Sequence, residues 1–233
     1  DGSRWARLLP ATAPPARSGH AMAHDAVRGR TVLFGGNSGS AGLSDTWEFD
    51  GTSWTKRSPA TSPSPRYGHA MAYDAARRRV VLFGGWRAPD AWETNAPGDL
   101  WEWDGTNWTQ PVAQPAPLSR HSLALAYDAA RGRTVLFGGY RNRLFFSDTW
   151  EWDGSRWVQL LPATQPPARA GHAMAYDPGR GSVVLTGGGA GWQDFSDTWE
   201  WDGSDWTLWI AATQPPNLHL HAMAFDSRRA RAV

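Results

Sequence analysis

Four sets of side chains recur at fixed spacing and have chemistry open to them. His20, His69, His172 and His221 share one position of a repeated phrase, which Leu123 holds in the remaining copy. Imidazoles converging from neighbouring strands can bind a metal. A set that accepts Leu123 reads instead as histidines hydrogen-bonded to a neighbouring strand. Glu48, Glu102, Glu151 and Glu200 each follow a Trp. Paired carboxylates hydrolyse glycosides, but strictly periodic ones read as partners of Arg and of local donors. Arg17, Arg66, Arg120 and Arg169 precede successive copies of the phrase, with Leu218 in the last. Arg suits bidentate recognition of carboxylates; the alternative is that it caps carbonyls of the Pro-rich turns.

The fourth set lies where the copies differ: Trp86, Arg87, Trp92, Tyr140, Arg141 and Trp192. Planar aromatics beside Arg suit sugars or extended peptides, the alternative being that each loop folds its Trp over a sheet edge. These six and the four Arg form the expected ligand-binding set. No residue stands out as catalytic or as a metal ligand, and no cofactor is implied. No Gly-rich phosphate loop and no Ser-His-Asp arrangement is present.

Composition narrows the classes. The 233 residues include 23 basic and 22 acidic side chains, so a broad nucleic-acid footprint is not expected. The longest apolar runs are too short to insert in a membrane. With no Cys, disulfides, thiolate nucleophiles and Cys-ligated zinc are excluded. The 16 Trp are the anomaly, and repetition explains most of them.

The Asp closing the phrase His-Ala-Met-Ala-Tyr-Asp recurs at Asp25, Asp74, Asp128, Asp177 and Asp226. A Gly pair follows at Gly35, Gly84, Gly138 and Gly187, then an Asp-(Thr/Leu)-Trp-Glu phrase from Asp45, Asp99, Asp148 and Asp197. A second Trp follows at Trp54, Trp108, Trp157 and Trp206, and Trp5 enters in the same register. One insertion between Gly85 and Asp99 breaks the spacing. Each unit reads as four short strands: an alternating one such as His69–Tyr73, an apolar one such as Val80–Phe83, an aromatic one such as Trp150–Trp152, and a fourth reached through an Asp-Gly turn. No segment carries a helical period. Four antiparallel strands per unit, each unit unable to bury both faces alone, predict an all-β propeller of stacked blades. Twelve Trp at repeat positions are then packing residues between blades, and function is expected on the variable loops.

The Gly pair, the aromatic third strand and the fourth-strand Trp resemble the kelch motif, over essentially the whole chain. The form Asp-Thr-Trp-Glu-Trp-Asp-Gly-Ser-x-Trp is similar to the bacterial kelch and galactose-oxidase central-domain variety. Without Cys the copper chemistry of that oxidase is not implied. The resemblance implies a kelch-type β-propeller of four-stranded antiparallel blades: four complete blades at 17–58, 66–112, 120–161 and 169–210, with partial blades at 1–9 (a fourth strand) and 218–233 (first strands). Kelch propellers usually close by sharing a blade between their ends, so a fragment of a longer propeller is the expectation. The resemblance also places the loops between strands two and three on the same face as the connections from strand four to strand one, a face that in several kelch domains binds acidic peptides through Arg.

The function expected is a non-catalytic binding module that recognises a protein or a glycan through one loop-rich face. The rivals are an assembly element that self-associates through open blade edges, and a carbohydrate-active enzyme of the kelch type. Composition points to an extracellular or cell-surface protein of a bacterium.

Overall fold

The computed structural model describes residues 7–87, 97–112, 115–210 and 215–233. Trp5, Trp92 and most of the second-unit insertion lie outside them. Among the described residues there is no helix, and none therefore that could cross a membrane.

Each full unit is one four-stranded antiparallel sheet in chain order. The first holds β1 (Ala21–Asp25), β2 (Arg30–Phe34), β3 (Thr46–Phe49) and β4 (Trp54–Arg57). The second holds β5 (Ala70–Asp74), β6 (Arg79–Phe83), β7 (Leu100–Trp103) and β8 (Trp108–Thr109). In the third, β9 (Ala124–Asp128) and β10 (Arg133–Phe137) are followed by a small hairpin, β11 (Tyr140–Arg141) and β12 (Leu144–Phe145), before β13 (Thr149–Trp152) and β14 (Trp157–Leu160). The fourth repeats this with β15 (Ala173–Asp177), β16 (Ser182–Thr186), the hairpin β17 (Gly189–Ala190) and β18 (Gln193–Asp194), then β19 (Thr198–Trp201) and β20 (Trp206–Trp209). The two small hairpins are additions to the expected four strands. The chain ends in a two-stranded sheet, β21 (Phe225–Asp226) and β22 (Arg231–Ala232). Of the strand expected at 1–9, residues 7–9 form none; no strand among the described residues pairs with them.

The turns follow from their side chains. In the third blade, Asp128 Oδ1 accepts the amides of Ala130 and Arg131, at 3.0 and 3.1 Å, and closes the hairpin between β9 and β10. Asp153 does the same for Ser155 and Arg156 between β13 and β14, at 2.8 and 2.9 Å. Gly154 there has φ of 98°, a conformation that favours glycine.

Blades adhere through the repeated aromatics. Trp103 and Trp108 pack on each other and on the preceding blade, where Phe34 meets Trp108 edge-on at 5.2 Å. Phe83 with Trp157 and Phe137 with Trp206 repeat that contact at 5.5 and 5.2 Å. The indole N–H groups also reach back one blade. Trp103 donates to Glu48, Trp152 to Glu102 and Trp201 to Glu151, each at 3.0 Å. Trp108 donates to the Thr46 hydroxyl and Trp206 to that of Thr149, both at 2.9 Å. Trp157 faces Leu100 at the corresponding place, and its buried Nε1 has no hydrogen-bond partner. The three substitutions to Phe should therefore differ. Trp108→Phe and Trp206→Phe each lose a hydrogen bond and strand a buried hydroxyl, whereas Trp157→Phe removes an unsatisfied donor. Trp157→Phe should be milder by about 1–2 kcal/mol in urea unfolding; equal costs would show that the N–H bonds contribute nothing.

A second set of inter-blade bonds uses backbone alone. Gly68 N–H donates to Gly19 O, Ser122 to Gly68, Gly171 to Ser122 and Leu220 to Gly171, at 2.7–2.8 Å. All five residues have φ between 53 and 69°. The first strands β1, β5, β9 and β15 lie against one another in turn beside this belt.

Candidate functional site

The role of the Arg ring follows from its burial. Arg169 donates through Nη1 to the Gly187 carbonyl (3.0 Å) and Asp197 Oδ1 (2.6 Å), through Nη2 to Asp197 Oδ2 (2.8 Å) and through Nε to the Pro167 carbonyl (3.1 Å). Arg66 repeats the pattern on Gly84, Asp99 and Ser64, Arg120 on Gly138, Asp148 and Leu118, and Arg17 on Gly35, Asp45 and Pro15. Arg66, Arg120 and Arg169 are 0% exposed, and the Arg17 side chain 3%. Phe146 and Phe195 cover Arg120 and Arg169 at 4.0 and 4.2 Å. Against the upward pull of burial, Arg169 and Trp199 hold the Asp197 carboxyl below the ordinary range. The expectation that this ring contacts ligand is corrected: the guanidinium groups are fully engaged inside each blade and cannot be reached.

The same bonding explains the Gly pairs. The carbonyls of Arg66, Arg120 and Arg169, and of Leu218 at the ring position of the last unit, accept from the second Gly of the preceding blade, as Gly139 donates to Arg169 O at 2.8 Å. A Cβ on Gly138 would sit 2.6 Å from that carbonyl and 2.9 Å from the His172 ring. The repeated His therefore seals a joint. His69 and His172 are buried, edge-on to Phe34 and Phe137 of the preceding blade at 5.6 Å. The carbonyls of Phe34 and Phe137 lie nearby, yet the ring nitrogens form no hydrogen bond of normal geometry. Packing on the preceding blade holds these rings, with the Phe34 and Phe137 carbonyls acting on them from the neighbouring strand. Burial, with the neighbouring Arg charge, depresses both imidazoles to about 3. Among the described residues no three His, Asp or Glu converge as metal ligands do.

The Glu series is also engaged. Glu48 accepts from Arg28 (2.7 Å), Arg57 (2.6 Å) and Trp103, and Glu151 pairs with Arg131 at 2.6 Å. These carboxylates serve ion pairs and inter-blade bonds.

What remains is the loop face. The residue after each ring Arg bridges to the residue after each Gly pair: Ser18 to Asn37, Tyr67 to Trp86, His121 to Tyr140 and Ala170 to Gly189. The strand four-to-one connections and the strand two-to-three loops are thereby joined on one face. Tyr67 stacks on Trp86 at 6.3 Å and 15°, Trp86 tilts on His121 at 4.8 Å, and His121 meets Tyr140 edge-on at 5.3 Å. Trp86 and Tyr140 are thus brought together, half-buried, through the His121 ring, with Tyr67 at the far end of the row; neither His121 nor Tyr67 belongs to the expected set.

The two hairpins rise from the same face. Asn142 and Arg143 form the two-residue turn of β11–β12 with φ of 49 and 64°. Left-handed conformations are uncommon for Arg. Gly191 and Trp192 turn β17–β18, and Trp192 is fully exposed. Between the hairpins lies a hollow of about 470 Å³, walled by Tyr140, Phe145, Arg143, Asp194 and His219. Arg141 is half-buried beside Tyr140, and Arg87 is exposed next to Trp86. Trp92 lies outside the described residues. Arg143, Asp194 and His219 lie outside the expected set; the available signal is the small residues Ala170 and Gly189, which stand where blades two and three carry aromatic pairs and blade one Ser18 and Asn37.

Residues 2–114 match the model of the KLHDC2/KLHL20/DRC7 Kelch-repeats domain. Comparison with curated proteins gives no match. Kelch repeats are in general non-catalytic scaffolds that mediate protein binding. The match spans the first two blades, just under half of the chain, and supports a kelch-repeat family; the same Gly pair, Trp-Glu phrase and inter-blade bonds carry through the next two four-stranded sheets, as kelch blades do.

Proposed function

We propose that the loop face of this propeller binds a segment of a partner protein. The observation that carries the reading is Trp192: a full-sized indole at a hairpin tip, stabilising nothing in its own fold, beside a hollow with aromatic and charged walls. Exposed aromatics of this kind are typical anchors at interfaces. The side chains of Trp86 and Tyr140 form a packed platform next to it. Arg87, Arg141 and Arg143 supply polar contacts at its rim in place of the buried ring. The blades give a rigid frame, so little ordering cost falls on the site when a ligand docks.

Peptide-display selection and a glycan array on the full chain, each repeated with Trp192→Ala, test the reading. Selected peptides should bind the variant at least about tenfold more weakly, the cost of losing one interfacial anchor, while its melting temperature stays unchanged because the indole buries no surface. Peptides that bind both proteins equally would overturn it. Saccharides alone on the array would move the ligand to the glycan class, and binding only between copies of the chain would favour assembly.

A further inference from the structure

Blades two and three fill one point of the loop face with aromatic pairs, Tyr67 with Trp86 and His121 with Tyr140. Blade four has Ala170 and Gly189 there. The backbone frame is unchanged: Ala170 and Gly189 still exchange two hydrogen bonds of 2.9 Å. Only the rings are gone, and the hollow of about 470 Å³ stands in their place. Its two sides differ. On the blade-three side Tyr140 leans on Phe145, with centroids 4.7 Å apart. On the other side the Asp194 carboxylate, about half exposed, lies 3.4 Å from His219 Nδ1.

From this we infer that the hollow is a subsite for a tyrosine or tryptophan side chain of the partner protein. The inference rests on the protein-binding reading of this face and adds the identity of the anchor. Tyr67, Trp86, His121 and Tyr140 form a row with centroid spacings of 6.3, 4.8 and 5.3 Å, and the next place in the row is the hollow. A planar ring entering there continues the row against Tyr140 and Phe145. Asp194 then selects among rings. A phenol O–H or an indole N–H gives the carboxylate a donor in exchange for the water it loses. A phenyl ring removes the water and returns nothing, and a carboxylate ligand is repelled. Glycine at 189 leaves room for the Asp194 carboxylate, which a Cβ there would meet at 2.7 Å.

The test uses the full chain labelled with ¹⁵N and two probes, N-acetyl-tyrosinamide and N-acetyl-phenylalaninamide, at millimolar concentration. The tyrosine probe should shift the amides of Gly189, Gly191 and Leu220, with roughly fivefold to tenfold weaker response to the phenylalanine probe, as one hydrogen bond of ordinary net strength to a half-exposed acceptor gives. Asp194→Ala should abolish that preference while keeping a folded spectrum. Ala170→Tyr, which copies Tyr67 into blade four, should fill the hollow and abolish both responses. Absence of shifts at these amides, equal response to the two probes in the unmodified chain, or a larger response to methyl β-glucopyranoside would overturn the inference. If selected peptides lose binding in Trp192→Ala yet bind Ala170→Tyr normally, the face stands as the binding surface and the subsite falls.

Discussion

Replacing Arg169 by Leu should destabilise the protein by about 3–5 kcal/mol, the usual cost of removing one member of a buried ion pair. Leu fills much of the same volume, so the loss is electrostatic. Asp197 keeps its charge and loses its cation, with only the Trp199 indole N–H left on Oδ2, and the Gly187 and Pro167 carbonyls lose their donor. Leu218 holds the ring position of the last unit, so Leu suits the backbone there. In a domain of this size the expected fall in melting temperature is roughly 6–20 °C. Arg169→Lys should recover little, because an ammonium cannot address two carboxylate oxygens and two carbonyls at once. Differential scanning calorimetry on the three proteins decides it. A fall of less than about 1 kcal/mol for Leu would mean that the ring is a replaceable surface feature, and the corrected ligand-contact role would have to be reconsidered.

The second large effect is acid lability. Unfolded imidazoles take up protons below about 6.5, whereas folded His69 and His172 do so only near 3. The unfolded state therefore binds more protons throughout that window. The stability these rings hold is complete above pH 6.5 and is lost as pH falls towards 3. Between pH 7 and pH 5 the pair should account for about 4 kcal/mol of lost stability. Leu123 occupies the same place in blade three and is buried, so the double variant His69→Leu and His172→Leu has a native precedent. Urea unfolding at several pH values should show a steep fall for the parent and a much flatter profile for the variant. The slope, not the absolute stability at pH 7, is the readout, since Leu and His pack differently on the Gly pairs. Parallel profiles would show that the rings are solvated and titrate normally. Carboxylates held down by Arg, such as Asp99 and Glu48, lose their contribution in the same direction at lower pH.

The fold was readable because its signal is periodic. A Gly pair, a Trp-Glu phrase and an Asp-Gly turn at constant intervals leave few architectures, and the sheets follow them closely. The site was less readable because burial is not periodic in sequence. Arg66 and Asp99 are farther apart in the chain than Arg17 and Asp45, yet make the same pair. That two rings of opposite charge repeat together was visible, but only the fold shows that they neutralise one another. The same holds for Trp86 and Trp192, which looked alike as loop residues. Trp86 has Tyr67 and His121 to pack against, while a two-residue turn carries Trp192 out into solvent. The hollow was hidden for a simpler reason. It is made by the absence of rings at Ala170 and Gly189, and a reading that searches for reactive side chains passes over small ones.

The belt from Gly19 to Leu220 has a bearing on how such a chain grows. Each link needs one amide, one carbonyl and a left-handed residue, and Gly, Ser and Leu all occupy it. No link depends on the side chain of the neighbour it joins. A duplicated unit dropped between two existing ones would thus find a donor on one flank and an acceptor on the other, already facing the right way. The number of blades can change in evolution, or by design, without rewriting the residues at the joints. Loop chemistry can then diverge on a frame whose inner belt is joined by main chain alone.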